Sequence, residues 1–236
     1  MKKILMAAAM ALATFTTTAA NEFTSVSYNN MDWDSGKPDN QFIEIEKGGT
    51  YDWGTFYGFV DVEQFDKYSS SEDVKLSVKT VFTVNQEIGI NDYVQIFAYA
   101  EKDFQVLDAV YGKQLTFNGD KWWFNPFAGI QYSAINNNFA NTSFEGVNGA
   151  MIGWTAGYSI TDKIQITNWH EFTTMRSSEY LATSGETSDL GMNGALSAWC
   201  HFTPNFTTGI QWRYADNKLG SSHGSNAIIY TVKVNF

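Results

Sequence analysis

The chain has one cysteine and three prolines among its 236 residues. Cys200 therefore cannot form an internal disulfide, which excludes a disulfide framework. No segment after residue 20 approaches the roughly 18 apolar residues of a membrane-spanning helix. Basic residues are also scarce: 15 Lys and Arg stand against 25 Asp and Glu, for a formal net charge of −10. That balance argues against nucleic acid as a partner.

The first twenty residues form a segment of their own. Lys2 and Lys3 precede an apolar run at residues 4–15, and small residues follow as far as Ala20. This three-part pattern is typical of a secretory signal, with cleavage expected after Ala20. The prediction is a signal peptide at residues 1–20 and a single domain at residues 21–236.

Aromatic residues are plentiful, at 16% of the chain, and they sit in short segments that alternate between apolar and polar positions. There are about twelve such segments, each near the ~10 residues that a tilted strand needs to cross a bilayer. The pattern predicts an all-β fold: a transmembrane, antiparallel, up-and-down β-barrel of about twelve strands. The clearest segments are residues 74–84, 93–101, 122–132, 163–172, 192–202, 206–214 and 227–236.

Long and short connections alternate between these segments. The long ones are rich in Ser, Asn, Gly and Asp and cover residues 30–40, 66–73, 133–146, 174–190 and 215–226. The short ones are residues 47–50, 118–120, 161–162 and 203–205, residues 85–92 are intermediate, and residues 101–103 are short where a long loop is due. Outer-membrane barrels have long extracellular loops and tight periplasmic turns, so this protein is expected in the outer membrane of a Gram-negative bacterium. An even strand number places both termini in the periplasm.

Residues 41–65 are the most unusual stretch of the chain. They read as a hairpin folded over a Gly48-Gly49 turn, with aromatic rings and carboxylates on one shared face. Because successive side chains of a strand point to opposite faces, one face is apolar and the other suits a wet, aromatic-lined interior. The residues expected on that interior face are Phe42, Glu44 and Glu46 before the turn and Trp53, Thr55, Tyr57, Phe59, Asp61 and Glu63 after it.

Charged residues decide which face of each remaining strand is inward. A lysine on the lipid face costs ~2–4 kcal/mol at mid-bilayer, so charged residues are assigned to the lumen. Beyond the hairpin, the predicted lumen residues are Lys75, Lys79, Gln95, Phe97, Tyr99, Glu101, Gln211, Arg213 and Lys233. Two interpretations stay open here. Either the paired charges plug the lumen and only stabilise it, or they line a narrow pathway for a small, flat, polar solute.

Enzyme chemistry is not indicated. His170, His201 and His223 have no metal-ligand spacing, and no cofactor-binding motif is present. Ser197 and His201 on one predicted inward face are the only candidates for a hydrolase pair. We therefore expect a protein that is not an enzyme and needs no cofactor or metal.

The last strand has an apolar outward face that ends in the C-terminal Phe236. Ile228, Tyr230, Val232 and Val234 share that face with it. A final strand ending in an aromatic residue is what outer-membrane barrels present to the barrel-assembly machinery, which is thus an expected partner along with outer-membrane lipid.

The motif Phe56-Tyr57-Gly58-Phe59-Val60-Asp61, preceded by Phe42-Ile43-Glu44-Ile45-Glu46 and Asp52-Trp53, resembles the start of the Tsx-type nucleoside-specific channels. That family includes related OmpK-type phage-receptor porins. A looser similarity continues through residues 197–213 and the final strand.

The resemblance implies a monomeric twelve-stranded barrel through which nucleosides diffuse passively into the periplasm. It points to Glu44, Glu46, Tyr57, Phe59 and Asp61 as pathway residues, and to Trp33 as a first-loop aromatic residue near the constriction. It also makes the extracellular loops a candidate surface for a phage or a colicin. The alternative function is a non-selective or closed barrel that acts mainly as a structural or surface-interaction protein.

Overall fold

The computed structural model describes residues 21–34, 39–64, 75–85, 89–218 and 222–236. These residues form one closed antiparallel β-barrel with twelve full strands. The strands are β1 (Asn21–Trp33), β2 (Asn40–Tyr51), β3 (Gly54–Glu63), β4 (Lys75–Val84), β5 (Ile90–Ala100), β6 (Phe104–Leu115), β7 (Phe117–Asn118), β8 (Trp122–Asn137), β9 (Thr142–Ser159), β10 (Ile164–Thr174), β11 (Gly191–Thr203), β12 (Phe206–Asp216) and β13 (Ser225–Asn235). β7 is a two-residue stub on β8.

Each full strand pairs with its neighbours in the chain, and β1 pairs with β13 to close the barrel. The β6–β8 pairing bypasses the stub. Closure leaves no unpaired sheet edge, so the backbone is satisfied internally, as it must be in a bilayer. The start of β1 and the end of β13 lie at one end of the barrel, and the opposite end carries the longer connections; we call these the terminal end and the loop end. The predicted up-and-down barrel is confirmed.

The outer surface shows the alternation that charge predicted. In β13, Tyr230 is 53% exposed while its neighbour Thr231 is 3% exposed and faces the lumen. The other outward side chains of this strand, Val232, Val234 and Phe236, are also exposed. Outward Trp and Tyr side chains lie near strand ends, where aromatic girdles sit at bilayer interfaces. They include Trp122, Tyr132, Tyr158, Trp212 and Tyr230.

One predicted turn is wrong. Gly48 and Gly49 lie inside β2, and the hairpin turns four residues later, at Asp52 and Trp53. Gly48 makes room for an aromatic ring and does not form a turn. A Cβ at Gly48 would lie 2.6 Å from Cε1 of Phe23 on β1, so only glycine lets this ring pack against the wall.

Two predicted loops also need correction. Residues 133–146 were expected to be a long loop, but β8 continues to Asn137, β9 begins at Thr142, and only residues 138–141 connect them. Ser133, which resembles a loop signal, belongs to the lumen face: it is fully buried there and donates a hydrogen bond to Asp108 at 2.5 Å. The predicted loop at residues 30–40 is shorter too, because β1 extends to Trp33. The short connection at residues 101–103 is as predicted.

The connection between β10 and β11 holds a helix that the sequence pattern missed, α1 (Ser178–Ser184). Ser177 caps its first turn, accepting a hydrogen bond from the Tyr180 amide, and Gly185 ends it with a φ of 78°. Tyr180 packs against Ile135 and Phe144, which face inward from β8 and β9. This connection therefore folds over part of the barrel mouth. Among the described residues, no helix is long and apolar enough to span a bilayer.

The predicted signal peptide at residues 1–20 and the whole of the predicted loop at residues 66–73 lie outside the described residues. Residues 65–74 as a whole are not described. The cleavage site stays a prediction.

Candidate functional site

The carboxylate of Glu46 is the centre of the polar wall formed by β1, β2, β3 and β13. It accepts hydrogen bonds from Ser25 Oγ at 2.9 Å and from the Tyr57 hydroxyl at 2.8 Å, and it forms an ion pair with Lys233. Phe59 lies opposite Glu46 in the β2–β3 register. Side chains from four strands thus meet at the Glu46 carboxylate, with aromatic rings beside it. Because the carboxylate contacts one side chain from each of the other three strands, the network holds the wall in one geometry.

Further carboxylates continue this wall towards the loop end. Glu44 accepts from Ser27 Oγ at 3.3 Å and lies opposite Asp61 in the register. Ser77 Oγ lies 3.2 Å from a carboxylate oxygen of both Asp61 and Glu63. The hydrogen bonds that Glu44 and Asp61 accept come from hydroxyl groups rather than from cations, so this part of the wall offers acceptor oxygens to a solute.

Two tryptophans line the facing wall, each beside a cation. The Arg213 guanidinium lies 4.4 Å from the ring centroid of Trp169, and Lys79 Nζ lies 5.1 Å from the same centroid. Lys233 Nζ lies 4.8 Å from the ring centroid of Trp199. These distances are typical of cation–π contacts, which hold the rings and the charged groups in place together.

Trp199 lies flat against the wall because its neighbour is a glycine. A Cβ at Gly209, directly opposite in the β11–β12 register, would lie 2.2 Å from Trp199 Cε3. Trp123 rests on Gly157 in the same way, since a Cβ at Gly157 would lie 1.9 Å from Trp123 Cη2. Glycines therefore let large rings line the lumen without filling it.

The ion pair between Lys79 and Glu171 crosses the barrel. Lys79 Nζ on β4 lies 2.5 Å from Glu171 Oε1 on β10, and Gln95 Nε2 on β5 donates to the same oxygen at 3.1 Å. In the barrel, β4 and β10 are separated by four full strands one way and six the other. The contact therefore runs through the lumen and not along the wall.

The two regions beside this contact differ in solvent exposure. On the inward face of β5, β6, β8 and β9, which we call the packed side, a central group of side chains is at most 5% exposed. They are Tyr93, Gln95, Val110, Phe127, Gln131 and Met151. The rings of Tyr93 and Phe127 stack there, with their centroids 4.3 Å apart. Most aromatic and charged side chains on the inward face of β2, β3 and β10–β13, the passage side, are half-buried. They include Glu44, Tyr57, Phe59, Asp61, Trp169, Trp199 and Arg213.

The loop end of the lumen holds the remaining predicted residues. Lys75 forms an ion pair with Glu101 at 3.1 Å, and the Tyr99 hydroxyl donates to the same carboxylate oxygen at 3.1 Å. Trp33 is the last residue of β1, opposite Ala227, and so lies at the rim rather than in a loop. Lys218, from the connection after β12, reaches inward to within 3.8 Å of Asp108 on β6.

The sequence predictions missed several lumen residues, among them Trp169, Glu171 and Trp199. The same charge argument could have found two of them. Residues 163–172 were recognised as a strand, and a glutamate at position 171 has to face the lumen, which places Trp169 on the same face. The contact of Glu171 with Lys79 depends on barrel closure and carries no local signal.

The suggested hydrolase pair is not assembled. Ser197 and His201 both face inward on β11, but four residues of strand separate them by about 13 Å. Ser197 Oγ donates to Gln211 at 3.2 Å, and His201 Nδ1 lies 2.9 Å from Thr207 Oγ1. His170 faces outward, where it stacks on Trp154. In the part of the chain that the structure describes, no group of three or more His, Cys, Asp or Glu could hold a metal ion.

A closed twelve-stranded barrel with an apolar outer belt and a charged, aromatic lumen defines an outer-membrane channel of the porin class. A family model described as "nucleoside-specific channel-forming protein, Tsx" matches residues 18–236, so the chain belongs to that family. Its members form channels in the outer membrane, and this chain is an outer-membrane channel protein.

Solved structures support the fold alone. The NanC porin is similar with a TM-score of 0.60 and 8% sequence identity, over 89% of this chain and 98% of that one. The KdgM porin, solved in complex with disordered oligogalacturonate, is similar with a TM-score of 0.54 and 8% identity, over 90% of this chain and 99% of that one. The loop end is accordingly the extracellular end and the terminal end the periplasmic one.

Proposed function

We propose that the protein lets nucleosides, or similar small polar aromatic solutes, diffuse passively into the periplasm along the passage side of its lumen. The observation that carries this proposal is a largely half-buried wall that carries both aromatic rings and carboxylates and faces a second wall of cation-bound tryptophans. Membership of the family of nucleoside-specific channels supports the choice of solute.

The chemistry of a nucleoside suits these two walls. Its base can stack on Tyr57 or Phe59, and base–aromatic stacking contributes ~1–3 kcal/mol per base. Its sugar hydroxyls can donate to Glu44 and Asp61, which already accept hydrogen bonds from serine hydroxyls. Passage needs binding strong enough to admit a solute and weak enough to release it, and a single stacked base in a wet lumen gives that range.

The proposal assigns roles to the predicted residues by position. Glu44, Glu46, Tyr57, Phe59 and Asp61 form the contact wall, with Lys79 and Arg213 on the wall that faces them. A second group, Trp33, Lys75, Tyr99 and Glu101, selects at the extracellular mouth. The remaining proposed partners are the barrel-assembly machinery at Phe236 and a phage or colicin at the extracellular loops. We also propose that the barrel acts as a monomer, as the family resemblance implies.

A second function has an observation in its favour. The packed side is filled by its own side chains, and ion pairs join Lys233 to Glu46 and Lys75 to Glu101. If such pairs also closed the passage side, the barrel would serve mainly as a structural or surface-interaction protein. The channel predicts a measurable ionic current through the purified protein, and the closed barrel predicts none.

Planar-bilayer recording of the purified protein separates them. We expect single-channel steps in KCl and a saturable fall in current when a nucleoside is added. Half-block is expected at ~1 mM, which corresponds to about 4 kcal/mol and lies within the ~1–6 kcal/mol that one or two stacked rings supply. Ribose at equal concentration is the control and should leave the current unchanged. Absence of steps would favour the closed barrel, and equal effects of ribose and nucleoside would remove nucleoside selectivity.

A further inference from the structure

Lys79 and Glu171 join opposite walls of the lumen, and this contact, with Gln95, is here called the strut. Its central bond is 2.5 Å long, and the two side chains are only 16% and 8% exposed. Gln95 Nε2 also lies 3.7 Å from Met151 Sδ, which ties the strut to the packed side. The strut is therefore one edge of a filled region and not an isolated ion pair.

The opposite face of the strut meets the passage side. Lys79 Nζ lies over the ring of Trp169, and the Arg213 guanidinium lies over the same ring. Trp169 and Glu171 are two residues apart on β10, so both project from the same face of one strand. The charged group at the end of the strut is thus placed where a permeating solute would pass the Trp169 ring.

We propose that the strut is the inner wall of the conduction path: it confines permeation to the passage side and sets the charge that solutes and ions meet there. Lys79 and Glu171 are then specificity-determining residues of the channel. This inference rests on the proposed conducting lumen. It differs from a purely structural role, because a structural ion pair would alter stability without changing which ions the lumen admits.

The charge balance of the strut gives the proposal a directional test. Glu171→Gln leaves the Lys79 ammonium without its counterion, so the lumen should favour anions more than the unsubstituted protein does. Lys79→Met leaves the Glu171 carboxylate, so the lumen should favour cations more. In a KCl gradient the reversal potentials of the two variants should shift in opposite directions. The exchanged pair, Lys79→Glu with Glu171→Lys, keeps the net charge and should return the reversal potential towards that of the unsubstituted protein.

A second experiment tests whether the strut confines permeation, with a variant that leaves neither of the two strut charges unpaired. The double variant Lys79→Ala with Glu171→Ala removes the wall while keeping the net charge, so single-channel conductance should rise and nucleoside block should weaken. Tyr111→Ala, an outward change on β6, is the matched control and should shift neither quantity. Folding is checked for each variant by the heat-dependent mobility of the barrel in gel electrophoresis. If a single variant does not fold, the exchanged pair and the double alanine variant still decide the matter.

The outcomes separate this inference from the proposed function. Opposite shifts for the two single variants, with recovery in the exchanged pair, support the strut as the wall of the path. Folded variants that keep the conductance and reversal potential of the unsubstituted protein would overturn it while leaving the channel function standing. A lack of current in the unsubstituted protein would instead overturn the channel function.

Discussion

Replacing both Tyr57 and Phe59 with alanine is expected to raise the nucleoside concentration needed for half-block by at least about tenfold. Each base–aromatic contact contributes ~1–3 kcal/mol, and every ~1.4 kcal/mol is a factor of ten in affinity. The two rings are neighbours on one face of β3, with centroids 6.4 Å apart, so one base can reach either of them. The measurement is nucleoside block of single-channel current in KCl.

Two controls isolate the rings. Tyr57→Phe keeps the ring and removes only the hydroxyl that donates to Glu46, so block should change much less than in the double alanine variant. Tyr111→Ala removes an outward ring that is 64% exposed, and it should have no effect on block. If the double variant folds and is blocked as well as the unsubstituted protein, these rings are not the contact surface.

Replacing Arg176 with methionine is expected to release the connection between β10 and β11 from the barrel mouth. The Arg176 side chain is 0% exposed and pairs with Glu186, which is 2% exposed. Its Nε also donates to the Asp189 carbonyl at 3.2 Å, and its guanidinium lies 5.7 Å from the Tyr180 ring centroid. Removing one partner of a buried ion pair costs ~3–5 kcal/mol, which is enough to open this segment while the barrel stays closed.

Limited proteolysis of outer-membrane vesicles measures that opening. In the Arg176→Met variant the segment at residues 178–190 should be cleaved on the extracellular side, with the barrel still resistant. Glu179→Gln is the matched control, because Glu179 is exposed on the same helix and its change should leave the segment protected. Burial, together with the Asp108 and Glu186 carboxylates, raises the pKa of the Tyr180 phenol, so this contact stays neutral and protection should not vary between pH 6 and about 9. Equal resistance of both variants would contradict the role given to Arg176.

The barrel fold could be predicted from the sequence because the constraints on each of its strands are local. Alternation along each strand and the cost of a charge in lipid assign every side chain to a face, and Lys75, Lys79 and Arg213 are all inward as expected. The turn at Gly48-Gly49 failed for a physical reason. Glycine marks a close approach of a ring as readily as it marks a turn, and the ring of Phe23 comes from another strand.

The division of the lumen could not be read from the sequence. The contact between Lys79 and Glu171 joins residues 92 positions apart, and their strands are brought together only by closure of the barrel. The same holds for Lys218 and Asp108. The sequence leaves a plugged and an open lumen as alternatives for the whole barrel, whereas the structure has a packed side and a passage side whose aromatic and charged side chains are mostly half-buried.

Cysteine protection at position 59 tests the central claim most directly. Cys200 is first replaced with alanine so that Phe59→Cys supplies the only thiol, and Phe127→Cys in the same background is the packed-side control. A membrane-impermeant thiol reagent added during bilayer recording should reduce the current through the Phe59→Cys channel, and added nucleoside should slow that reaction. The Phe127→Cys channel should not respond. An unreactive thiol at position 59, or a reaction rate that nucleoside leaves unchanged, would contradict a nucleoside path along this wall.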